Sequence, residues 1–423
     1  MAEGYRESIR HRTAFVWHHC AMAVSLNHNL SRIRVASIAV ALVTTAVIAS
    51  GCSSSNSATG SPSPGLIAVE GPMTGSQSST GIDMFQGAQL AADQLNASGG
   101  VGGVKLRLVR ADDAASAATG VTTANRMVAQ HVFGVVGPFN SSVGVKNLPI
   151  YRSADVSIVR LTSAGTTQGF GVTTQPMDVQ VAPVEAAEIT QVLHATRVAM
   201  VYDTSTYTAG IAGRLRDLLA AAGHPPVAFQ SITEGQSDFS GVISAVAASH
   251  PDLVYIAAYG AEAGQVARQA SQSNVGGGCL VDLAAQGPDF VGAATVPVAQ
   301  HCLNSGVPPA QQFAGAGQYV TDYTNAFHTA PGTWGTFTYD SVKLLAQAVT
   351  EAGGWKEAAT QSRLDQATNF QGITGTITIE PKTGNRANSP VVILDIDSSG
   401  NYLINRAWAQ TVGFPLPTAT SLP

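Results

Sequence analysis

Two short apolar runs, each ending in a hydroxyl-rich loop, constrain this chain more than any other feature. Phe133–Val136 leads through Gly137-Pro138 to Ser141 and Ser142, where a helix could begin; Val156–Leu161 leads to Thr162 and Ser163. Both have the length and β-branched content of buried parallel strands. In an open α/β sheet, ligands bind outside the carboxyl ends of the strands. Two such ends side by side make a polar shelf with no titrating group, suited to holding an anionic or zwitterionic small molecule rather than transforming it.

The flanking sequence repeats this alternation. Leu66–Val69 reads as a first strand, followed by a Gly- and Ser-rich loop over Glu70–Gly81 and a helical stripe at Met84, Ala88, Ala91 and Leu95 that ends at Ser98-Gly99-Gly100. Val104, Leu106 and Leu108 alternate with Lys105 and Arg107, which predicts a half-exposed strand. Asp112-Asp113 opens the next helix, where acids suit the dipole and serve as caps rather than catalysts. This βαβαβαβ order implies a parallel sheet with right-handed crossovers.

After a crossing segment at Phe170–Pro176 a second α/β unit begins. It has a helix at Asp178–Leu193 and strands at Val198–Tyr202, Val227–Ile232, Leu253–Ala258 and Cys279–Leu283. Helices separate them: a stripe at Ile211, Leu215, Leu218 and Ala222, then Ser240–Ser249 and Glu262–Ser273. Three further helices, Tyr319–Phe327, Tyr339–Ala352 and Lys356–Gln366, precede a change of texture. Gly372–Glu380 and Val391–Asp397 read as strands joined by a turn, Tyr402–Ile404 could pair beside them, and residues beyond Gln410 form a loose tail, 411–423.

The N-terminus sets the expected compartment. Arg32 and Arg34 precede the uncharged run Val35–Ala49, which ends in Ser50-Gly51-Cys52. These are the parts of a secretory signal, too short for a comfortable membrane span. Cys52 at the cut resembles the bacterial lipobox, with Ala49 where Leu is usual, and so implies a lipid anchor to the membrane. Residues 1–51 are then the signal and 52–65 a flexible tether. The first 21 or so residues delay the signal, and Met22 would give a more ordinary start. Without residues 1–51 the chain keeps 17 basic and 25 acidic residues, a net −8 (22 less 5; 27 less 2). No basic stripe remains, which argues against nucleic acid. Cys279 and Cys302 are left, and in an exported protein a disulfide is the natural pairing, two buried free thiols being the alternative.

The residue order resembles the periplasmic type I solute-binding proteins, nearest the branched-chain amino acid receptors of ABC importers. The resemblance rests on Gly71-Pro72-Met73-Thr74-Gly75, Asn96-Ala97-Ser98-Gly99-Gly100, Asp112-Asp113, Ser237-Asp238-Phe239, Gly264-Gln265, Tyr339-Asp340 and Gly372-Ile373-Thr374-Gly375. It implies two Rossmann-like α/β lobes with parallel sheets, joined by three crossing segments and closing on a ligand. Lobe one is expected at 66–178 plus 309–371, lobe two at 179–308 plus 372–410. It also implies a permease as partner. Ser141, Ser142, Thr162, Ser163 and Ala164 would hold a ligand carboxylate, Tyr207 and Tyr259 would close over it, Thr80 stands where the family has a covering Tyr, and the acid that pairs with a ligand ammonium would fall near Asp282–Ala284, where only Asp282 is acidic. If Asp282 does not reach the cleft, the ligand need not be an α-amino acid.

Each of these has a plainer role: Ser141 and Ser142 as helix caps, Tyr207 as a surface side chain, Tyr259 as core, Thr80 as loop, Asp282 as a structural acid. The chain contains no HExxH, GxSxG, GxxxxGK[ST] or GxGxxG spacing, and its six His after the signal are scattered. No enzyme, metal site or cofactor is expected. An extracellular sensor on the same fold is the alternative to an importer's receptor.

Overall fold

A computed structural model describes residues 63–416. The expected signal, the start at Met22 and the expected lipidation site Cys52 lie outside the described residues.

The first lobe is built on β1 (Ser63–Gly71), α1 (Ser78–Ala97), β2 (Arg107–Asp112), α2 (Ala117–Ala129), β3 (Val132–Val136), α3 (Ser141–Ser153), β4 (Ser157–Arg160) and β5 (Val172–Thr173). Its sheet is parallel throughout, in the order β2-β1-β3-β4-β5. The stretch 133–163 supplies its centre: every residue of β3 and β4 is buried. Gly137 has φ +114°, and a Cβ there would meet the Glu70 carbonyl oxygen at 2.1 Å, so only glycine lets β3 end this close to β1.

The second lobe follows with α4 (Asp178–Ala187), β6 (Val198–Asp203), α5 (Thr206–Ala221), β7 (Ala228–Ile232), α6 (Ser240–Ala248), β8 (Leu253–Ala257), α7 (Gly260–Gln272), β9 (Gly278–Val281), α8 (Pro288–Ala294), α9 (Val296–Ala299) and β10 (Cys302–Gly306). The chain then returns to lobe one with α10 (Gly317–Phe327), α11 (Trp334–Glu351) and α12 (Glu357–Asp365). Helix α11 packs closely on α1; a Cβ on Gly87 would strike the Gly335 carbonyl oxygen at 2.0 Å. Small hairpins follow, β11 (Phe370–Gly372) with β12 (Gly375–Ile377) and β13 (Ile379–Glu380) with β14 (Asn385–Arg386). Last come β15 (Val392–Ile396), β16 (Tyr402–Ile404) and α13 (Arg406–Val412). The second sheet runs β16-β15-β10-β9-β8-β6-β7, with β15 and β16 antiparallel. The chain thus passes between the sheets three times, over residues 174–177, 307–316 and 387–391.

Cys279 and Cys302 are bonded and face each other in register on β9 and β10, with Cα atoms 4.4 Å apart.

Several local expectations are corrected. The second strand starts at Arg107, because Gly102 and Gly103 turn the chain and Val101 pairs with Val104 in an isolated bridge. Asp112 and Asp113 do not cap a helix: Ser116 caps α2. Instead Asp112 accepts the N–H of Met73 at 3.0 Å and the hydroxyl of Thr74 at 2.7 Å, pinning the loop after β1. The stripe of α5 runs through buried Leu219, leaving Leu218 exposed. Gly372–Glu380 is not one strand, since Gly375 at φ +95° folds it into a hairpin. The hairpins also pack chiefly on α11, α12 and β5 of lobe one, while Gln180 of α4 in lobe two donates to the Arg386 carbonyl at 2.9 Å. Buried Arg386 holds them there, donating to the carbonyls of Thr174 and Thr374 at 3.0 and 2.9 Å. The strand β10 and helices α8, α9 and α13 were not expected. Residues 63–65 belong to β1 rather than a tether, and the tail is helical to Val412, with the Phe414 ring 5.4 Å from Trp408.

Candidate functional site

A small, half-open cavity, about 240 Å³ of empty space with the adjoining open solvent included, lies between the carboxyl ends of the parallel strands of the two sheets. Lobe one contributes Phe139 and Ser141 from the loop and helix after β3, Ser163 from the loop after β4, and Trp334 from the start of α11. Gln175 enters from the first crossing segment. Lobe two contributes Tyr207 at the start of α5, Tyr259 after β8, and Leu283 and Ala284 after β9.

The polar end is lobe one's. The first N–H groups of α3 lack intrahelical acceptors, and Asn140 puts no side-chain cap over them, so the positive end of the helix dipole opens on the cavity. The Ser141 hydroxyl oxygen accepts the N–H groups of Ser163 at 3.3 Å and Ala164 at 3.1 Å, which leaves its own proton to donate. The Ser163 hydroxyl donates to the Pro176 carbonyl at 2.6 Å and accepts from Gln175 Nε2 at 2.8 Å. This arrangement is an uncharged anion cradle.

The opposite wall is aromatic. The Phe139 ring meets Tyr259 edge-on at 6.2 Å across the cleft and lies 5.0 Å from Trp334. The Tyr207 hydroxyl donates to Asp282 Oδ2 at 3.1 Å. Asp282 also accepts the Ala284 N–H at 2.8 Å and is fully buried beside Glu185. Burial raises Asp282 to about 6. Glu185 is held well above the usual carboxylate range, by burial first and then by the charge of Asp282. Ser305 and Tyr255 complete the network, donating to Glu185 Oε1 at 2.6 and 3.2 Å.

The expected residues therefore separate. Ser141, Ser163, Tyr207 and Tyr259 meet at the cavity. Ser142 faces lobe two instead, accepting the Thr206 N–H at 2.9 Å. Thr162 is turned inward, donating to Thr167 Oγ1 at 2.8 Å, and Ala164 is buried with its N–H taken by Ser141. Asp282 sits behind Tyr207 and does not line the cavity. Thr80 lies in α1, not in a loop, and lines a neighbouring groove with Ser79 and Gln286. Phe139, Gln175 and Trp334 were not anticipated, and in the stretch 282–284, where the resemblance places an acid, Leu283 and Ala284 line the cavity instead. Phe139 stands two residues before Ser141, Gln175 lies in the expected crossing segment, and Leu283 and Ala284 follow Asp282. Trp334 carried no signal, because it precedes the stripe from which its helix was recognised.

Two parallel-sheet lobes, three crossings and a small interlobe cavity with an anion cradle define a two-lobed ligand receptor. The sequence matches the profile of the family described as Periplasmic binding protein over residues 66–401, and the chain belongs to that family. An amino acid binding protein of Pseudomonas aeruginosa is 28% identical over 354 residues, 80% of this chain and 91% of that one. A Leu/Ile/Val-binding protein of Citrobacter freundii is 34% identical over 211 residues, 48% of this chain and 57% of its own length. Among solved structures, the leucine binding protein LivK of Thermotoga maritima superposes with a TM-score of 0.74 at 23% identity, over 81% of this chain and 99% of that one. A Rhodopseudomonas palustris ABC transporter solute-binding protein in complex with benzoate gives 0.72 at 15%, over 81% and 95%. These two likenesses are of fold. No described helix is long and apolar enough to cross a membrane.

Proposed function

We propose that this chain is the lipid-anchored, extracytoplasmic receptor of an ABC importer, capturing an amino acid or amino-acid-like carboxylate between its lobes. The observation that carries the reading is the cradle formed by the Ser141 hydroxyl and the open end of α3, with Ser163 positioning Ser141 through its N–H, against the aromatic wall of Tyr207 and Tyr259. The printed names of the relatives, amino acid and Leu/Ile/Val binding, support the ligand class. The apolar run before Cys52 supports the anchor.

Binding proceeds by hinge closure. The carboxylate first meets the donors of lobe one. Lobe two then rotates over it, so that Tyr207 and Tyr259 cover the apolar body and exclude water. A ligand touching both lobes favours the closed form by its differential affinity for that form, and the closed form docks on the permease. The residues lining the cavity hold and cover; they include no histidine or cysteine to act as base or nucleophile.

A thermal-shift screen of a soluble form beginning at Ser57, which retains every described residue, tests this. A ligand at 100 times its Kd adds about 2.7 kcal/mol of stability. Small carboxylates that raise Tm, with the rise cut to about half or less in Ser141→Ala, are the expected result; no shift with any amino acid or carboxylate overturns the reading. Radiolabel partitioning with membranes, lost in Cys52→Ser, tests the anchor.

A further inference from the structure

We infer that the ligand is a small carboxylate carrying a neutral hydrogen-bond donor, a hydroxyl in the simplest case, in place of an α-ammonium. The inference rests on the carboxylate-receptor reading above and narrows it.

A closed cleft that holds an ammonium must compensate a buried positive charge, and an uncompensated one is strongly disfavoured. No aspartate or glutamate lines this cavity. After β9, where an acid could face the ligand, the chain presents Leu283 and Ala284. Asp282, one residue before them, is fully buried, and its carboxylate is already engaged by the Ala284 N–H and the Tyr207 hydroxyl. Glu234 and Glu262 line a separate groove on the other side of Tyr259, with Ser76 and Gln77.

Gln175, which lines the cavity, carries one acceptor in want of a donor. Gln175 is 2% exposed, and its Nε2 donates to the Leu161 carbonyl and to Ser163 Oγ. Those two bonds fix which end of the amide is which, since a reversed amide would set two oxygens against each other. Gln175 Oε1 is then buried with no partner among the described residues. A neutral acceptor beside an anion cradle matches a hydroxyl on a carbon near the carboxylate. It satisfies Oε1 and brings no charge into the cavity. The rest of the ligand packs on Phe139, Trp334 and Tyr259, so it is apolar, branched or aromatic.

Calorimetric titration of the form beginning at Ser57 with matched triples is the test. One triple is 4-methylpentanoate, 2-hydroxy-4-methylpentanoate and leucine; the other is 3-phenylpropanoate, 3-phenyllactate and phenylalanine. In at least one triple the hydroxy acid is expected to bind about tenfold more tightly than the plain acid and about a hundredfold more tightly than the amino acid. In Gln175→Leu the hydroxy and plain acids should become equal while the plain acid still binds, a readout that a misfolded variant cannot give. Ala284→Glu should shift the preference toward the amino acid. An amino acid binding as tightly as its hydroxy acid, or tighter, overturns the inference and leaves the receptor reading intact. A plain acid equal to its hydroxy acid in the unsubstituted protein overturns the role of Gln175. Failure of all six, and of every carboxylate in the thermal-shift screen, overturns both.

Discussion

The Ser142 hydroxyl, at the start of α3 in lobe one, accepts the Thr206 N–H, at the start of α5 in lobe two, at 2.9 Å. The two hydroxyls are also 3.2 Å apart. Two helix N-termini thus meet across the cleft through one serine beside the ligand cavity. Ser79 reinforces the contact from α1, donating to Asp289 at 2.5 Å. These bonds exist only when the lobes are together.

Ser142→Ala should therefore weaken ligand binding without touching the ligand. Losing one interlobe hydrogen bond costs the closed form about 1 kcal/mol, roughly a fivefold rise in Kd. Calorimetry should show that rise, with Tm of the free protein nearly unchanged because neither lobe's core is altered.

Ser141→Ala should behave differently. It removes a donor to the ligand carboxylate and the acceptor for the Ser163 and Ala164 N–H groups. Bonds to charged groups contribute about 1.5–3 kcal/mol, so Kd should rise about 10- to 100-fold. Tm of the free protein should also fall, since two buried N–H groups lose their partner.

Acidification should stabilise the fold. Burial raises Asp113 to about 7 and Asp282 to about 6, and holds Glu70 and Glu185 well above their ordinary values. Each folded pKa lies above the unfolded value of about 4, so the native state keeps protons that the unfolded chain releases. Their contribution is fully present below about pH 4 and is lost as pH rises toward 7. Asp112 and Asp252, lowered by their hydrogen bonds, act oppositely, losing their contribution only as pH falls below about 4. Tm should be higher at pH 5 than at pH 8, and Asp113→Asn should flatten that slope. A Tm that climbs steadily from pH 5 to 8 would contradict it.

Reducing the Cys279–Cys302 bond should destabilise lobe two. The closed loop spans a separation of 23 residues, worth about 3 kcal/mol of unfolded-state entropy. Urea unfolding with and without reductant should show the difference, and Cys279→Ser with Cys302→Ser should reproduce it.

Much of the fold was legible because its signals are local. The apolar runs 133–136 and 156–161 could only be buried strands, and the structure buries all of β3 and β4. Periodicity failed where tertiary contacts decide. Val104 alternates like a strand residue but sits in a glycine turn, and β10, with Asn304, Ser305 and Gly306, lacks the apolar texture of a strand yet is held inside the sheet between β15 and β9. At the site, Ser141 and Ser163 were legible from their place after strand ends, and Tyr207 and Tyr259 from the family resemblance. Gln175 and Trp334 come from a crossing segment and a distant helix, and Asp282 is turned away by its bond with Tyr207. Such orientations are set by packing, not by spacing.

The central claim is that two lobes close on one small carboxylate. Distances between spin labels at Thr122→Cys on α2 and Ala220→Cys on α5, both exposed and on different lobes, measure this directly. The account predicts a longer, broader distribution in the free protein that collapses to one short distance when a carboxylate found by the screen saturates it, and a weaker collapse in Ser142→Ala. A distribution that the bound ligand leaves unchanged would contradict it.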